Sequence, residues 1–390
     1  MYFLVITPDY PSVTDDVKAS YIHQQVKALE QFGHTVAVWV MMPYRPKHLI
    51  RPKDSYVLDG IQVNVMYYPK APGYYAFPFD ARMMCVFAKR KMRKLLKNIK
   101  IDVVHGHTLI TAHTVASIGH ALQIPSFLTL HGQEDPQKIE NTKIKRRALV
   151  FFLKYVTRIV LVGTPLIDYY KRVSGGRDNY EVIPNGINPV INVHPMEEYL
   201  LNQKGEHTII LSVCGLHQIK GIEYNLRAFS CLLNKGILGI RYWIVGDGPD
   251  RTRLEMIADE CGILAYVKFW GRASNHDVPA FMRVADFFSL PSYTEAFGIV
   301  YLEAMMQSKP VIGCRGQGCE DIIENGVDGF LVPPHDERLL EDKMLELIQN
   351  KKLRENMGKK AQRKVLQYFT WDVCTTKLEY SYITSLGCTE

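Results

Sequence analysis

Several things are missing from this chain of 390 residues, and each absence narrows what it can be. No run of 18 apolar residues occurs; the nearest, Ala148 to Val162, is broken by Lys154 and Arg158, so no membrane-spanning helix is expected. No C-x-x-C pair occurs. The eight cysteines (85, 214, 231, 261, 314, 319, 374, 388) are scattered without a histidine-rich partner segment, which points to free thiols in a reducing cytoplasm and away from disulfides or zinc. No basic leader precedes the apolar opening Met1-Tyr2-Phe3-Leu4-Val5-Ile6, so no signal peptide is expected. A dinucleotide fingerprint is absent too: Gly246-Asp247-Gly248-Pro249 lacks its spacing, which disfavours an NAD-dependent dehydrogenase.

What is present is ordinary in amount and uneven in placement. With 47% apolar and 22% charged residues the chain can fill two cores. Residues 1–190 hold 25 Lys+Arg and 14 Asp+Glu, a balance of +11, whereas residues 191–390 hold 22 and 26, a balance of −4. The positive excess gathers at Lys89–Lys100 and again at Lys143-Ile144-Lys145-Arg146-Arg147. A solvated basic helix face explains such runs, and so does peripheral contact with an anionic membrane. No aromatic interleaving accompanies them, so nucleic acid is not expected as a partner.

Short β-like runs alternate with helical patterns along both halves, which predicts parallel sheets covered on both faces. The punctuated segment Ile183-Pro184-Asn185-Gly186-Ile187-Asn188-Pro189 marks a boundary. Residues 1–188 are expected to form a first Rossmann-like domain, completed by a C-terminal helix over 371–390, and 189–370 a second. From about 336 onward three helices are expected in succession, with a further short one at 319–325.

Ligands of open α/β sheets bind beyond the carboxyl ends of the strands. Three features of the second half fall there. Lys220, in Gly215-Leu216-His217-Gln218-Ile219-Lys220-Gly221, reads as a free cation beside a helix N-terminus, suited to phosphate. Gly246-Asp247-Gly248 reads as a turn. In the third, Glu295 lies in the loop Pro291–Gly298 and Glu303 within the apolar helical segment Ile299–Met306. A carboxylate in such surroundings needs polar partners. Eight residues of helix would span about 12 Å, so the two acids suit two ends of an elongated, hydroxyl-rich ligand better than one shared proton or metal ion.

The block Pro291-Ser292-x-x-Glu295-x-Phe297-Gly298-x-x-x-Leu302-Glu303-Ala304-Met305, with Pro310-Val311-Ile312 and Gly329-Phe330-Leu331-Val332, resembles glycosyltransferase family 4. Asp102-Val103-Val104-His105-Gly106-His107, Thr129-Leu130-His131-Gly132, the Ile183–Ile187 segment and Lys220-Gly221 match as well, so the resemblance covers most of the chain. It is nearest in flavour to bacterial enzymes of surface-polysaccharide synthesis.

The resemblance implies the GT-B fold, two Rossmann-like α/β/α domains facing each other across a deep cleft. It also implies a retaining, metal-independent hexosyltransferase, a nucleotide-sugar donor (UDP favoured over GDP) and a glycan or lipid-linked acceptor. No cofactor is implied, no Asp-x-Asp metal motif occurs, and the expected location is cytoplasmic, at most peripheral at the inner face of the membrane. By resemblance, His131, Glu295 and Lys220 carry the reaction. Lys220, Glu295, Phe297, Gly298, Ile299 and Glu303 hold the donor, with Glu303 on the ribose hydroxyls. Lys18, Ser20 and His107 belong to an acceptor or phosphate loop. Two departures stand out: Gly215 occupies a place where the family usually has an arginine, and Asp15-Asp16-Val17-Lys18 replaces the usual Gly-Gly of the first loop. The alternatives are a catalytically silent binding relative and a nucleotide-sugar epimerase of the same fold.

Overall fold

A computed structural model describes residues 1–12, 19–44, 55–70, 77–95, 99–132, 142–189 and 194–387. The chain forms two compact units, Met1–Gly186 with Trp371–Glu390, and Ile187–Thr370. The expected division lay at 188/189 and 370/371.

The first unit is an eight-stranded sheet: β1 (Tyr2–Thr7), β2 (Thr35–Tyr44), β3 (Ser55–Leu58), β4 (Ile61–Pro69), β5 (Val103–His107), β6 (Ser126–Leu130), β7 (Arg158–Leu161) and β8 (Tyr180–Val182), in the order β3-β4-β2-β1-β5-β6-β7-β8. Its central strands are buried along their length, as parallel strands covered on both faces must be: β5 and β6 have no exposed residue. All pairs are parallel except β3 with β4, a hairpin turning at Asp59-Gly60, both with positive φ (50° and 87°). The core packs Phe3, Val5, Val26, Val38 and Phe127 against Leu378 and Tyr382 of the last helix, Trp371–Ser385, which belongs to this unit although it ends the chain. Gly186 makes that return possible, because a Cβ there would lie 2.6 Å from Trp371 Cα.

The second unit is a six-stranded, wholly parallel sheet: β9 (Thr208–Val213), β10 (Ile240–Val245), β11 (Val267–Gly271), β12 (Phe287–Ser289), β13 (Val311–Cys314) and β14 (Gly329–Val332), in the order β11-β10-β9-β12-β13-β14. Helices Glu337–Gln349 and Lys351–Tyr368 follow, each started by a side chain that accepts a backbone N–H, Asp336 from Leu339 and Asn350 from Leu353. The helix expected at 319–325 is instead a single 3-10 turn, Gly318–Asp321. It stops because the Glu324 N–H turns to the Asp328 carboxylate (2.8 Å) and starts the turn leading into β14. Helices Leu166–Ser174 and Met196–Lys204, with β3 and β8, are additions to the expected elements.

Candidate functional site

In the second unit the polar groups collect at the carboxyl ends of β9 and β12. After β9 the chain makes a 3-10 turn, Gln218–Lys220, and enters helix Ile222–Asn234; after β12 it runs through loop 290–298 into helix Ile299–Met306. The two loops are tied by backbone. The Ile219 carbonyl accepts the Tyr293 N–H at 3.0 Å and the Ser292 hydroxyl at 3.2 Å. Gly221 allows this approach, since a Cβ there would meet the Pro291 carbonyl oxygen at 2.3 Å. The other end of the acid loop is held by the segment after β13. Gln317 Oε1 accepts the Glu295 N–H (3.1 Å), the Gly318 N–H donates to the Glu295 carbonyl (2.8 Å), and a Cβ on Gly318 would strike Ala296 O at 2.2 Å. Beneath lies a buried polar knot in which the Ser289 hydroxyl donates to Asn225 Oδ1 (2.8 Å) and Asn225 donates to the Ser289 carbonyl (3.0 Å). The loop is therefore rigidly mounted.

That mounting brings Lys220 and Glu295 together, with Lys220 Nζ 2.7 Å from Glu295 Oε2 and both side chains largely buried. Lys220 is thus not the free cation expected; its charge is already oriented by a carboxylate. Gly298 starts the next helix in the left-handed region (φ 96°), where a Cβ would overlap the Tyr301 ring at 2.5 Å, so only glycine serves. Helix begins at Ile299, so most of the step from Glu295 to Glu303 is not helical. Phe297 is buried, and Ile299 is half-buried in the first turn.

Glu303 is half-buried on this helix, between the buried Leu302 and Ala304. The expectation of protein partners fails: among the described residues its carboxylate has no hydrogen bond or ion pair. Burial without a partner pushes its acid up to about 7. A half-buried carboxylate on a fixed helix, bonded to no described protein group, is an acceptor that hydroxyl donors of a ligand can reach.

Sequence reasoning passed over His217. Its ring lies against Gly215, with Cδ2 3.5 Å from where a Cβ of residue 215 would stand, and it is exposed. The His217 ring therefore stands beside the position where the family usually has an arginine. The signal was available, since His217 and Lys220 are the two basic groups between β9 and helix Ile222–Asn234. The glycines of Gly246-Asp247-Gly248 have a structural use. A Cβ on Gly246 would overlap Cys214 O at 1.8 Å and one on Gly248 would lie 2.4 Å from Leu216 O, so they seat the β10 loop under the β9 loop.

In the first unit the polar groups lie at the carboxyl ends of β5 and β6. His105 and His107 share one face of β5, and His131 follows β6. The three rings stack, 4.8 Å from His105 to His107 and 5.2 Å from His107 to His131. His107 Nδ1 and His131 Nε2 are 2.9 Å apart. His105 bridges Tyr382 OH (2.6 Å) and Thr129 Oγ1 (2.7 Å). Burial pushes His105 and His131 down to about 3, and His107 is lowered by burial and by its two neighbours, so all three rings are neutral at physiological pH. His131 Nδ1 is buried without a partner, while Tyr21 packs on the ring at 4.5 Å.

In a neutral pair one of the two facing nitrogens carries the proton, so His131 Nδ1 and His107 Nε2 have opposite characters: when one donates, the other accepts. Thr108, next in the chain, is held at φ 72°, a strained conformation for a β-branched residue. Ser20 opens helix Ser20–Gln31 beside Tyr21; Lys18 lies outside the described residues.

Among the described residues one trio, His194, His276 and Asp277, has metal-ligand spacing. His194 Nδ1 accepts the Met196 N–H (3.1 Å) at the start of helix Met196–Lys204, so Nε2 holds the ring proton and faces His276 and Asp277 as a donor. That is a helix cap, and its chemistry does not suit a cation.

Two parallel-sheet α/β units with acids, a lysine and histidines at strand carboxyl ends are the architecture of GT-B sugar-transferring proteins. Residues 19–190 match the family model described as Glycosyltransferase Family 4, and residues 200–364 match that of Glycosyl transferases group 1. The chain belongs to glycosyltransferase family 4. An uncharacterized glycosyltransferase of Methanocaldococcus jannaschii is 28% identical over 74% of this chain and 77% of its own length. The alpha-monoglucosyldiacylglycerol synthase of Acholeplasma laidlawii is 26% identical over 86% and 85%. Among solved structures, Anabaena HepE in complex with UDP superposes with a TM-score of 0.77 at 17% identity, covering 98% of this chain and all of that one, which establishes the fold.

Proposed function

We propose that this protein is a retaining glycosyltransferase that moves a hexose from a nucleoside-diphosphate sugar, UDP-linked by preference, to a hydroxyl of a lipid-linked or polysaccharide-precursor acceptor. The carrying observation is the fixed Lys220–Glu295 pair beside a helix whose Glu303 carboxylate has no protein partner. The family supports sugar transfer, the UDP held by HepE supports the donor, and the name of the Acholeplasma relative supports a lipid acceptor.

In this reading Glu303 accepts from the ribose hydroxyls and Glu295 from those of the sugar. Phe297, Gly298 and Ile299 present backbone to sugar and phosphate. When donor binds, Lys220 turns from Glu295 toward the diphosphate, with His217 as the second basic group. The anomeric carbon–oxygen bond to the β-phosphate breaks and the acceptor oxygen bonds to the same face of that carbon. The acceptor proton passes to the departing phosphate oxygen, so the anomeric configuration is kept. Charge growing on that oxygen is stabilised by Lys220 and N-terminal helix amides, which are strongest where water is excluded. The reaction proceeds without a divalent ion, since no Asp-x-Asp pair accompanies the phosphate loop. His131 Nδ1 meets a ligand hydroxyl, while Ser20 and Lys18 stand with the acceptor loop.

A panel of UDP- and GDP-sugars tests the reading, by thermal shift for binding and by nucleotide release for turnover. A ligand at 100 times its Kd adds about 2.7 kcal/mol of stability. Failure of every nucleotide-sugar to bind ends the proposal. Binding without nucleotide release, in the presence of lipid and glycan acceptors, makes this a silent relative, the reading Gly215 favours. Inverted product anomers or abolition of turnover by EDTA would overturn retention or metal independence separately.

A further inference from the structure

Two neighbouring helices of the first unit carry a surface that the chemistry above leaves unused. Helix Lys143–Lys154 and helix Phe77–Leu95 pack against each other and against helix Ala112–Leu122. On the first, Ile144 is 75% exposed, Phe151 50% and the following Tyr155 51%. Positions 144, 151 and 155 recur on one helical stripe. Phe151 and Tyr155 touch edge to face, centroids 5.3 Å apart, so their tips form one patch. Lys143, Arg146, Arg147 and Lys154 are exposed along the flank, and Lys154 Nζ stands 5.3 Å over the Tyr155 ring. On the second helix Phe79 and Val86 are exposed along with Arg82 and Arg90. Neither helix exposes a carboxylate among its described side chains, since Asp80 is buried.

We infer that this face is a membrane-docking surface, in which Ile144, Phe151 and Tyr155 enter the headgroup–acyl boundary of an anionic bilayer while the flanking Lys and Arg hold its phosphates. The charge complementarity selects the occupant. Large apolar tips ringed by cations of a single sign fit an interface that is apolar below and anionic above. Nucleic acid would give the isoleucine and phenylalanine nothing to bury against, and an acidic protein surface would need a mate for each apolar tip. Among the described residues no helix is long and apolar enough to cross a membrane, so the contact lies in the interface plane.

The expected contact through Lys89–Lys100 shares helix Phe77–Leu95 with this face. Within the run Lys89–Lys100, Lys91 is spent on the Val65 carbonyl (3.2 Å), residues 96–98 lie outside the described residues and nothing is described of the side chains at 93–95. The inference adds the exposed apolar stripe of helix Lys143–Lys154 to that run. The inference rests on the lipid-linked acceptor reading only for its purpose, not for its physics.

The test is co-flotation of the full chain with vesicles of phosphatidylcholine and phosphatidylglycerol (7:3) or of phosphatidylcholine alone, with no donor present. Binding to the anionic vesicles is expected, weakening with added salt. The pair Ile144→Ser with Phe151→Ser should lower it at least tenfold with melting temperature unchanged, both side chains being exposed. Arg147→Gln with Lys154→Gln should lower it about fivefold per charge removed. A tryptophan added at Phe151→Trp to the four native ones should shift the emission, read as the difference from the unaltered chain, to the blue on the anionic vesicles alone. Equal binding to both vesicle types, no binding, or loss with the charge variants but none with the apolar pair each overturns the inference. Nucleotide release from a sugar donor, measured on the same samples, separates the two claims. Turnover without flotation defeats docking alone, and flotation without turnover on any acceptor defeats the enzyme reading alone.

Discussion

The two units place opposite electrostatics at equivalent positions. In the second, the strand ends carry an ion pair, Lys220 facing Glu295 at 2.7 Å, and the helix beyond holds Glu303 without a partner among the described residues, its acid raised to about 7. In the first, they carry three stacked neutral rings, closed on one side by Tyr382 and open at His131 Nδ1. A departing diphosphate needs fixed charge, whereas orienting a sugar or acceptor hydroxyl needs directional donors and acceptors without stray charge. In the proposed reaction each sheet would supply one of the two.

The contrast breaks most sharply at Lys220. Lys220→Ala should lower kcat about 10³-fold, the loss typical of one preorganised donor to a developing oxyanion. Donor binding measured by calorimetry should weaken far less. A change under threefold in kcat would remove the lysine from the chemistry.

Second in size is the acid sensitivity of the histidine stack. His105 and His131 titrate near 3 when folded against about 6.5 in the unfolded chain, so below 6.5 the unfolded state takes up more protons. Stability is full above pH 6.5 and falls as pH drops toward 3, by up to about 1.4 kcal/mol per pH unit for each ring. Urea melts between pH 7 and 5 should show this slope, and His105→Gln should lessen it by one ring's share.

Glu303 runs the other way. Its folded acid is raised to about 7 against about 4.5 unfolded, so it destabilises the empty protein above pH 7, and the burden lifts as pH falls toward 4.5. Glu303→Gln should therefore stabilise the empty protein by about 2 kcal/mol at pH 8 while weakening donor binding. In the native protein donor KM should rise as pH falls below 7, by up to tenfold per pH unit. A flat profile between pH 5 and 8 contradicts the ribose role.

The smallest effect sharpens the comparison within the charged unit. His217→Ala should raise donor KM about fivefold, of the order expected from one hydrogen bond, and Gly215→Arg should recover it in the same background. No loss in the first variant removes His217 from the diphosphate site.

Much of this was legible in the sequence because period and composition are local. β1, β6, β10 and β14 lie where their apolar runs place them. Missed elements had weaker marks. Leu166–Ser174 and Met196–Lys204 are nine-residue helices that each start directly after a proline, Pro165 and Pro195, which reads as a turn. The β3–β4 hairpin did announce itself through Asp59-Gly60, a favoured two-residue turn hidden in a stretch rich in proline and tyrosine. The site was legible as residue types and not as partnerships. Nothing local tells that Lys220 meets Glu295 across 75 residues, that Glu303 meets no one, or that Tyr382 reaches His105 across 277. Those follow from loop docking, which the glycines at 221 and 318 permit without naming their partners.

The chain crosses between units twice, at neighbouring places: Ile187 pairs with Thr370, and its N–H donates to the Phe369 carbonyl at 2.8 Å. A gene fragment ending at residue 186 therefore encodes a first lobe with a gap in its core where Tyr382 and Leu378 belong. Dissecting this protein calls for a circular permutant or a grafted tail, not for a simple cut.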